Sequence, residues 1–479
     1  MNGRPDRRRR GAGRVVAMRF PRTFALPCAA APGLCLALAL PGGGDATRGA
    51  VTALAVAAGG VLAVLLPVRW LLYGVILAIP FDNYAVPVGP LGISVSDALL
   101  VVVTLRWLLA VLYRRGRIAR SELYAPAALF YVLLLPSFFV TFDLGLSLRQ
   151  AFSILMMLLT AVVVANLLRG PGRLMGAATA LLVGSAIMSL LGFAQLLVWM
   201  RYHVSPFQPN VDVVRLGGIT FLRLTATYFD PNYFALYLIA PIVLGLFVAL
   251  ESGASRRYKT FAWLVVLADL ALFVMTFSRG GWLTLLAFMG VYVLLRARAR
   301  PRGAWVAMLV AVIIAAPLVA GVLVGINPTS VVHRLSLLQL GAEVMTEHPL
   351  TGAGLGTFRH LPENRLARPS HSTYLQIGAD AGVIALLGFL CLALVVAVNA
   401  IRALRVARSE PTRAILLGTI YALGCLALQG SLLDALIAKY LWILVGMSSA
   451  AAAVARSERA ADDSAVAARD APHPVEQES

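Results

Sequence analysis

Charge is what this chain has least of. Only 13% of its 479 residues are Asp, Glu, Lys or Arg, while 60% are hydrophobic; a soluble globular domain carries about 25% charged residues. That excludes a chain solvated mainly by water and makes lipid the principal solvent. Acidic residues are scarcer still, with 22 Asp and Glu against 41 Lys and Arg and a formal net charge of +19. Such an excess also marks nucleic-acid binders. Here, however, the basic residues sit in short segments between apolar runs, where they set membrane orientation. No RNA- or DNA-binding motif accompanies them, so no nucleic-acid partner is expected. Cysteine is limited to Cys28, Cys35, Cys391 and Cys425, all inside apolar stretches, with no CxxC pair. They read as small hydrophobes rather than a disulfide framework. The six histidines never form HxxxH or HExxH, the spacings that place two ligands on one helix face. Neither a metal nor another cofactor is expected.

What is present is a long series of apolar runs. A membrane helix needs roughly 20 apolar residues. About fourteen candidates lie near 24–41, 51–67, 68–81, 97–113, 124–141, 150–168, 174–200, 228–250, 259–277, 280–297, 304–325, 376–398, 413–429 and 434–455. The third is short enough to be re-entrant, so twelve to fourteen spans are expected. With the amino terminus in the cytoplasm, every alternate loop is basic, from Arg7–Arg10 through Arg114, Arg115, Arg117 and Arg120 to Arg402, Arg405, Arg408 and Arg413. This is the positive-inside pattern. It puts both termini in the cytoplasm and the chain in a bacterial inner membrane. The first run also has the layout of a signal peptide; its removal would leave the remaining orientation unchanged.

The expected fold class is therefore all-α, a polytopic transmembrane bundle with one large extracytoplasmic loop. Residues 1–23 form a basic cytoplasmic segment, 24–200 the first group of spans, 201–400 a central region, 401–455 the last spans, and 456–479 a polar, alanine-rich tail expected to be disordered. Two outer loops exceed a simple turn, 201–227 and 326–375. Long ordered loops between packed elements are usually functional. The second keeps apolar residues at roughly helical spacing (Val332, Leu335, Leu338, Leu340, Val344), which points to an ordered, partly helical cap.

Four outer-face residues from three separate stretches bear the chemistry. Arg223 opens Arg223-Leu-Thr-Ala-Thr-Tyr-Phe-Asp-Pro-Asn232, and Arg215 lies just upstream. Arg279 lies in the tight turn Thr276-Phe-Ser-Arg279-Gly-Gly-Trp282, and His371 opens the span after the long loop in Pro369-Ser-His371-Ser-Thr-Tyr374-Leu-Gln376. Guanidinium groups bind phosphate through bidentate, charge-assisted hydrogen bonds and stay ionised at a lipid boundary. Two of them could hold a lipid-linked diphosphate and stabilise it as a leaving group. A histidine at a helix amino terminus is kept neutral by the helix dipole and can then accept a proton from a hydroxyl. Taken singly, each has a plain structural reading. An outer arginine reads as solvated, Ser-Arg-Gly-Gly as a tight turn, and Asp230-Pro-Asn232 as a capping turn.

Together these residues resemble the successive motifs of the O-antigen ligase superfamily, which includes O-antigen and exopolysaccharide polymerases and protein O-oligosaccharyltransferases. The resemblance rests on Arg223-x-x-x-x-Tyr-Phe-Asp-Pro-Asn232-Tyr, Phe277-Ser-Arg279-Gly, His348-Pro-Leu-Thr-Gly-Ala-Gly-Leu-Gly356 and His371-Ser-Thr-Tyr374-Leu-Gln, in order, over about residues 200–400. It implies a GT-C-like, metal-independent glycosyltransferase. Such an enzyme takes a glycan from an undecaprenyl-diphosphate carrier and passes it to a hydroxyl of a glycan or lipid acceptor at the bilayer surface. His371 matches the family's essential loop histidine, and Arg223 and Arg279 match arginines in its motifs; Arg215, which has no clear motif match, and Asn232, Tyr374 and Arg359 are expected to bind substrate. Ser372 stands where Asn is common, Asp380 where Glu often occurs, and Ala226 replaces a frequent glycine. These departures leave the acceptor, and the choice between ligase and polymerase, open. The alternative is a secondary transporter or polysaccharide exporter, which would call for internal repeats and a midplane site; no repeat between the halves is evident. Arg106, Asp97, Asp269, Asp434 and Lys439 lie in or near spans, where charge is functional or internally paired. Asp434 and Lys439 read most simply as the end of the last span, and His360 flanks Arg359 beside the glycine-rich segment.

Overall fold

In the computed structural model the described residues are 66–83, 86–88, 91–113, 118, 120–207, 211–216, 218–296 and 328–470. They contain α1 (Val68–Ala78), α2 (Val95–Leu112), α3 (Tyr124–Leu133), α4 (Leu144–Leu167), α5 (Pro171–Tyr202), α6 (Pro231–Glu251), α7 (Arg256–Met275) and α8 (Arg279–Arg296). The helix α9 (Pro328–Glu347) occupies the long loop, and α10 (Thr373–Val406), α11 (Glu410–Gln429) and α12 (Lys439–Asp470) follow. Two antiparallel ribbons interrupt the helices, β1 (Val86–Val88) with β2 (Leu91–Ile93) and β3 (Val213–Leu216) with β4 (Ile219–Leu222). The fold is all-α and polytopic. Eight described helices are long and apolar enough to cross a membrane, with shorter apolar helices at Val68–Phe81, Tyr124–Phe139 and Arg279–Leu294. The runs expected near 24–41 and 304–325, and nearly all of 51–67, lie outside the described residues.

Helix ends are fixed by short polar side chains that satisfy the first free N–H groups. Ser94 and Asp97 exchange hydrogen bonds in a capping box at the start of α2. Asp143, Ser255, Ser372 and Ser409 each accept from the helix they precede. Asp230 does the same for α6, with Pro231 behind it at the position where a missing N–H costs nothing. A proline also explains a split run. At Pro136 the run 124–141 breaks into α3 and a 3-10 turn, Leu135–Phe139.

The core lies around α6. In its apolar window 89% of the residues are buried, against 22% for α2. A helix apolar on every side and buried on every side is central, whereas α2 turns most of its surface outward. α6 packs chiefly on α7 and α11, and α12 packs on α4 and α10. Contact at α12 is close because Gly446 meets the backbone of Ala161 and the side chain of Val164, where a larger residue would not fit.

Long-range contacts sort the helix ends into two groups. At one end Arg223 reaches Thr276, Thr227 reaches Pro80, Thr373 reaches Gly430 and Lys439 reaches Asp97. At the other, Asn166 meets Tyr124, Arg456 pairs with Glu122 and Glu458 accepts from Ser409 and Thr412. The grouping follows the alternation of loops read from the sequence.

Two expectations are corrected. The tail is not irregular from residue 456, because α12 continues to Asp470. Alanine-rich sequence favours helix, and Glu458 anchors the first extra turn by accepting from Arg408 and Ser409 N–H. Nor does Lys439 merely mark a helix end. Its ammonium, 6% exposed, lies 3.0 Å from Asp82 and 2.7 Å from Asp97, and it donates to Ser94 and Ser96. A buried cation is tolerable only when so surrounded.

Candidate functional site

The loop from β4 to α6 folds back on the end of α7. Leu224 N–H donates to Met275 O at 3.0 Å, which brings Arg223 over the turn that precedes α8. Its Nε donates to Thr276 O at 3.0 Å, Nη1 meets Asp212 at 2.7 Å and Nη2 donates to Asn232 Oδ1 at 3.3 Å. One guanidinium thus ties the β3–β4 ribbon, the start of α6 and the end of α7 together. Asn232 is itself oriented by Asp230, whose Oδ1 accepts its N–H at 2.6 Å.

Arg279 is the exposed first residue of α8, three positions beyond Thr276. The start of α8 is locked to the end of α11. Gly280 packs on Gln429 and Leu432, and Thr284 donates to Gln429 Oε1 at 2.7 Å. The end of α11 then holds the start of α10, since Gly430 O accepts Thr373 N–H at 2.7 Å. Thr373 also donates to Leu433 O at 3.1 Å and accepts from Ala435 N–H at 2.8 Å. Three helix beginnings, those of α6, α8 and α10, therefore meet at one end of the bundle.

His371 precedes α10 in a left-handed conformation, φ 59°. That backbone is strained for a residue with a Cβ and is held from both sides. Ser370 N–H donates to Gln376 Oε1 at 2.8 Å, and Ser370 Oγ donates to Ser372 O at 2.9 Å. Gln376 in turn donates from Nε2 to Asp380 at 2.9 Å, and Asp380 accepts Phe358 N–H at 3.1 Å. The glycine-rich segment sits on the same structure. α10 departs from helical geometry at Gly382, φ 83°, where Val383 N–H donates to Pro349 O and Ala353 N–H to Ala379 O. A side chain on Gly382 would strike the Leu350 carbonyl. The glycines admit the loop backbone against the broken helix.

The Nδ1 atom of His371 is enclosed and has no hydrogen-bond partner among the described residues. Burial pushes the imidazole below its ordinary value, Arg334 and Arg368 add to that, and Asp230 opposes them. Those neighbours identify a residue that sequence reading missed. Arg334, on α9, lies within electrostatic reach of Asp230, Arg223, Arg279 and His371. The site thus gathers Arg223, Arg279, Arg334, Arg368, Asp230 and His371. The apolar spacing read in the loop did not signal it: Val332 and Leu335 are exposed, and the buried row of α9 is Leu337, Gly341 and Val344, which Arg334 extends.

The expected substrate-binding residues separate. Asn232 is in the cluster through Arg223. Arg359, exposed on the 3-10 turn Phe358–His360, stands at its flank within reach of Asp434 and Tyr233. Arg215 lies on β3 opposite Thr220, exposed, with no bond to the cluster. Tyr374 turns away: its hydroxyl donates to Ala427 O at 2.7 Å and its ring meets Phe389. Position 374 lies on the face of α10 that packs on α11, three residues round from the imidazole. Other buried charges are internally engaged. Asp269 accepts from Ser185 and Ser189, each at 2.6 Å, and Arg106 donates to Leu66 O. Among the described residues no group of three or more His, Cys, Asp or Glu side chains is arranged to hold a metal ion.

Converging guanidiniums repel one another, and at the end of an apolar bundle such a cluster can hold an anion attached to something lipophilic. The class so defined is a multi-pass membrane protein with a cluster of guanidiniums at one end of its helical bundle. Residues 264–390 match the family model described as O-antigen ligase. Over that stretch the chain is similar to the O-antigen ligase family. The matched stretch contains Arg279, Arg334, the glycine-rich segment, His371 and Asp380; Arg223 and Asn232 lie before it. No curated protein sequence matches the chain.

Proposed function

We propose that this protein transfers a glycan from an undecaprenyl-diphosphate carrier to an acceptor hydroxyl at the outer face of a bacterial inner membrane, without a metal ion, as an O-antigen ligase or polysaccharide polymerase. The observation that carries the reading is the meeting of Arg223, Arg279, Arg334 and His371 at one end of the bundle. The opposite end carries Arg169, Arg173, Arg402, Arg405 and Arg408, which supports a cytoplasmic position for that end.

The chemistry is a displacement at the anomeric carbon. The acceptor oxygen forms the new C1–O bond. The C1–O bond to phosphate breaks, with its electron pair on the phosphate oxygen. The acceptor proton passes to the imidazole of His371 and from there to water. Guanidiniums take up the negative charge on the departing diphosphate. A neutral imidazole suits the proton-accepting role, and burial beside two arginines keeps it neutral.

The test is purified protein in proteoliposomes with a single lipid-linked repeat. Transfer by the wild type, and its loss in His371→Ala and Arg279→Ala with membrane insertion intact, is expected. Full transfer by His371→Ala would overturn the mechanism. Growth of a ladder on the carrier assigns a polymerase; one addition to a separate acceptor assigns a ligase.

A further inference from the structure

The small-residue face of α12 runs on past the helix it packs against. Gly446 meets Ala161 and Val164 of α4. Ala450, Ala453, Ser457 and Ala460 continue from it at the three- and four-residue spacing of one helix face. Small side chains suit close helix approach. α4, however, ends at Leu167, and Gly170, φ 103°, turns the chain into α5. From Ala450 onward α12 therefore faces a cavity of about 720 Å³, bounded on the other side by Ala165, Leu168 and Pro171. The cavity lies at the end of the bundle opposite His371, where the apolar span of α4 stops and that of α5 starts. Ala165 and Ala450 are buried and form its inner wall; Ala460 stands about 15 Å further along the axis of α12.

Its rim is cationic. Arg120, Arg169 and Arg456 line it and are exposed, one from the approach to α3, one from the α4–α5 turn and one from α12. Arg169 Nε donates to Asn166 O at 2.9 Å, which ties that side chain to the last turn of α4. Arg456 lies 3.6 Å from Glu122, a pair exposed on both sides and so weakly held. Glu458 also lines the cavity, but its carboxylate is engaged at the start of α11. There it accepts from Arg408 and Ser409 N–H and from the Ser409 and Thr412 hydroxyls. Among the described residues, these three guanidiniums face two carboxylates, Glu122 and Glu458, with one positive charge in excess.

We infer that this cavity binds one anionic phospholipid, with the headgroup phosphate on Arg169 and Arg456 and the glycerol and first acyl carbons against Leu168, Ala450 and Ala453. Guanidinium holds phosphate through charge-assisted hydrogen bonds, and basic pockets between membrane helices take acidic headgroups. A phosphatidylglycerol headgroup carries one negative charge, equal to the excess. The volume falls in the range of sites for a single small molecule. A soluble phosphate matches the guanidiniums but not the apolar wall; phosphatidylcholine, with no net charge, matches the wall but not the guanidiniums. Membrane orientation alone accounts for arginines at one end of the bundle, but it does not require them to converge on a cavity. The site is independent of glycan transfer, since none of its residues belongs to the cluster around His371.

The full chain in detergent is titrated with phosphatidylglycerol, phosphatidylcholine and inorganic phosphate, and the bound ligand is counted by native mass spectrometry. The wild type is expected to retain one phosphatidylglycerol in preference to phosphatidylcholine, and no inorganic phosphate at the same concentration. Arg169→Gln combined with Arg456→Gln is expected to weaken phosphatidylglycerol at least about tenfold, the scale of two basic side chains at a bilayer surface, and to leave phosphatidylcholine unchanged. Ala453→Leu fills the cavity with every charge in place and should weaken phosphatidylglycerol as well. Arg405→Gln, on an exposed residue at the same end of the bundle but outside the cavity, should keep the preference. Equal retention of the two lipids by the wild type would overturn the site. So would undiminished binding in the double arginine variant or in Ala453→Leu, or a loss in Arg405→Gln as large as in the double variant, which would reduce the effect to diffuse surface charge. Retention of inorganic phosphate in place of the lipid would overturn the phospholipid as occupant.

Discussion

Asp380 controls His371 without touching it, and the control can be broken and rebuilt. The relay runs from Phe358 N–H to Asp380, from Asp380 to Gln376 Nε2, and from Gln376 Oε1 to Ser370 N–H, next to the imidazole. Asp380→Asn keeps an acceptor for Phe358 but turns an amide toward the Gln376 amide. Whichever way either amide is flipped, two donors or two acceptors face each other, in a place where Gln376 is 7% and Asp380 3% exposed. An unsatisfied buried polar group costs about 1–3 kcal/mol. Gln376→Glu alone sets two carboxylates at 2.9 Å, at similar cost. The double substitution restores every bond: the introduced carboxylate at 376 accepts from Ser370 and from the new amide at 380, whose oxygen accepts from Phe358. A double-mutant cycle should therefore show a favourable coupling of roughly 2–6 kcal/mol, the two single costs together, measured as thermal stability in proteoliposomes. Transfer from a lipid-linked repeat should fall at least tenfold in each single variant, on the order expected when a reacting group is displaced by a fraction of an ångström to one ångström, and return toward wild type in the double. A double variant no better than its two singles combined would refute the relay.

Transfer should be insensitive to pH around neutrality and decline only below the ordinary histidine range near 6.5, because burial, Arg334 and Arg368 lower the His371 pKa against the smaller opposing pull of Asp230. Arg334→Gln removes one of those positive charges, so the acid limb should move to higher pH; a limb that stays in place, or moves the other way, would count against the contact. Lys439→Met should destabilise the fold by about 3 kcal/mol, the low end for a buried ion pair losing one partner, because Asp82 and Asp97 keep side-chain exposures of 26% and 25%. A thermal transition unchanged from wild type would show that the ammonium holds nothing together.

Much of this arrangement is legible in the chain itself. Apolar runs and their basic punctuation reveal the helices because lipid demands a long apolar span for each crossing. Arg223, Arg279 and His371 announce themselves because each stands beside a helix start, where short motifs persist. Arg334 does not. It lies in a loop helix whose apolar spacing indicates a helix but not which face is buried, and only its place beside Asp230, Arg223, Arg279 and His371 discloses it. Tyr374 misleads for the opposite reason. It sits three residues from the imidazole in sequence, yet helical rotation carries it to α11. The β3–β4 ribbon is not legible because strands of four residues leave no periodicity to read.

A long flexible side chain ordinarily surrenders about 1.5–2 kcal/mol of rotational freedom when it closes on a ligand. Arg223 has already lost that freedom: its side chain is 17% exposed and pinned at Nε, Nη1 and Nη2. An arriving anion finds a rigid surface with the remaining N–H bonds aimed in advance, and almost none of the attraction is spent on bringing that arm to rest.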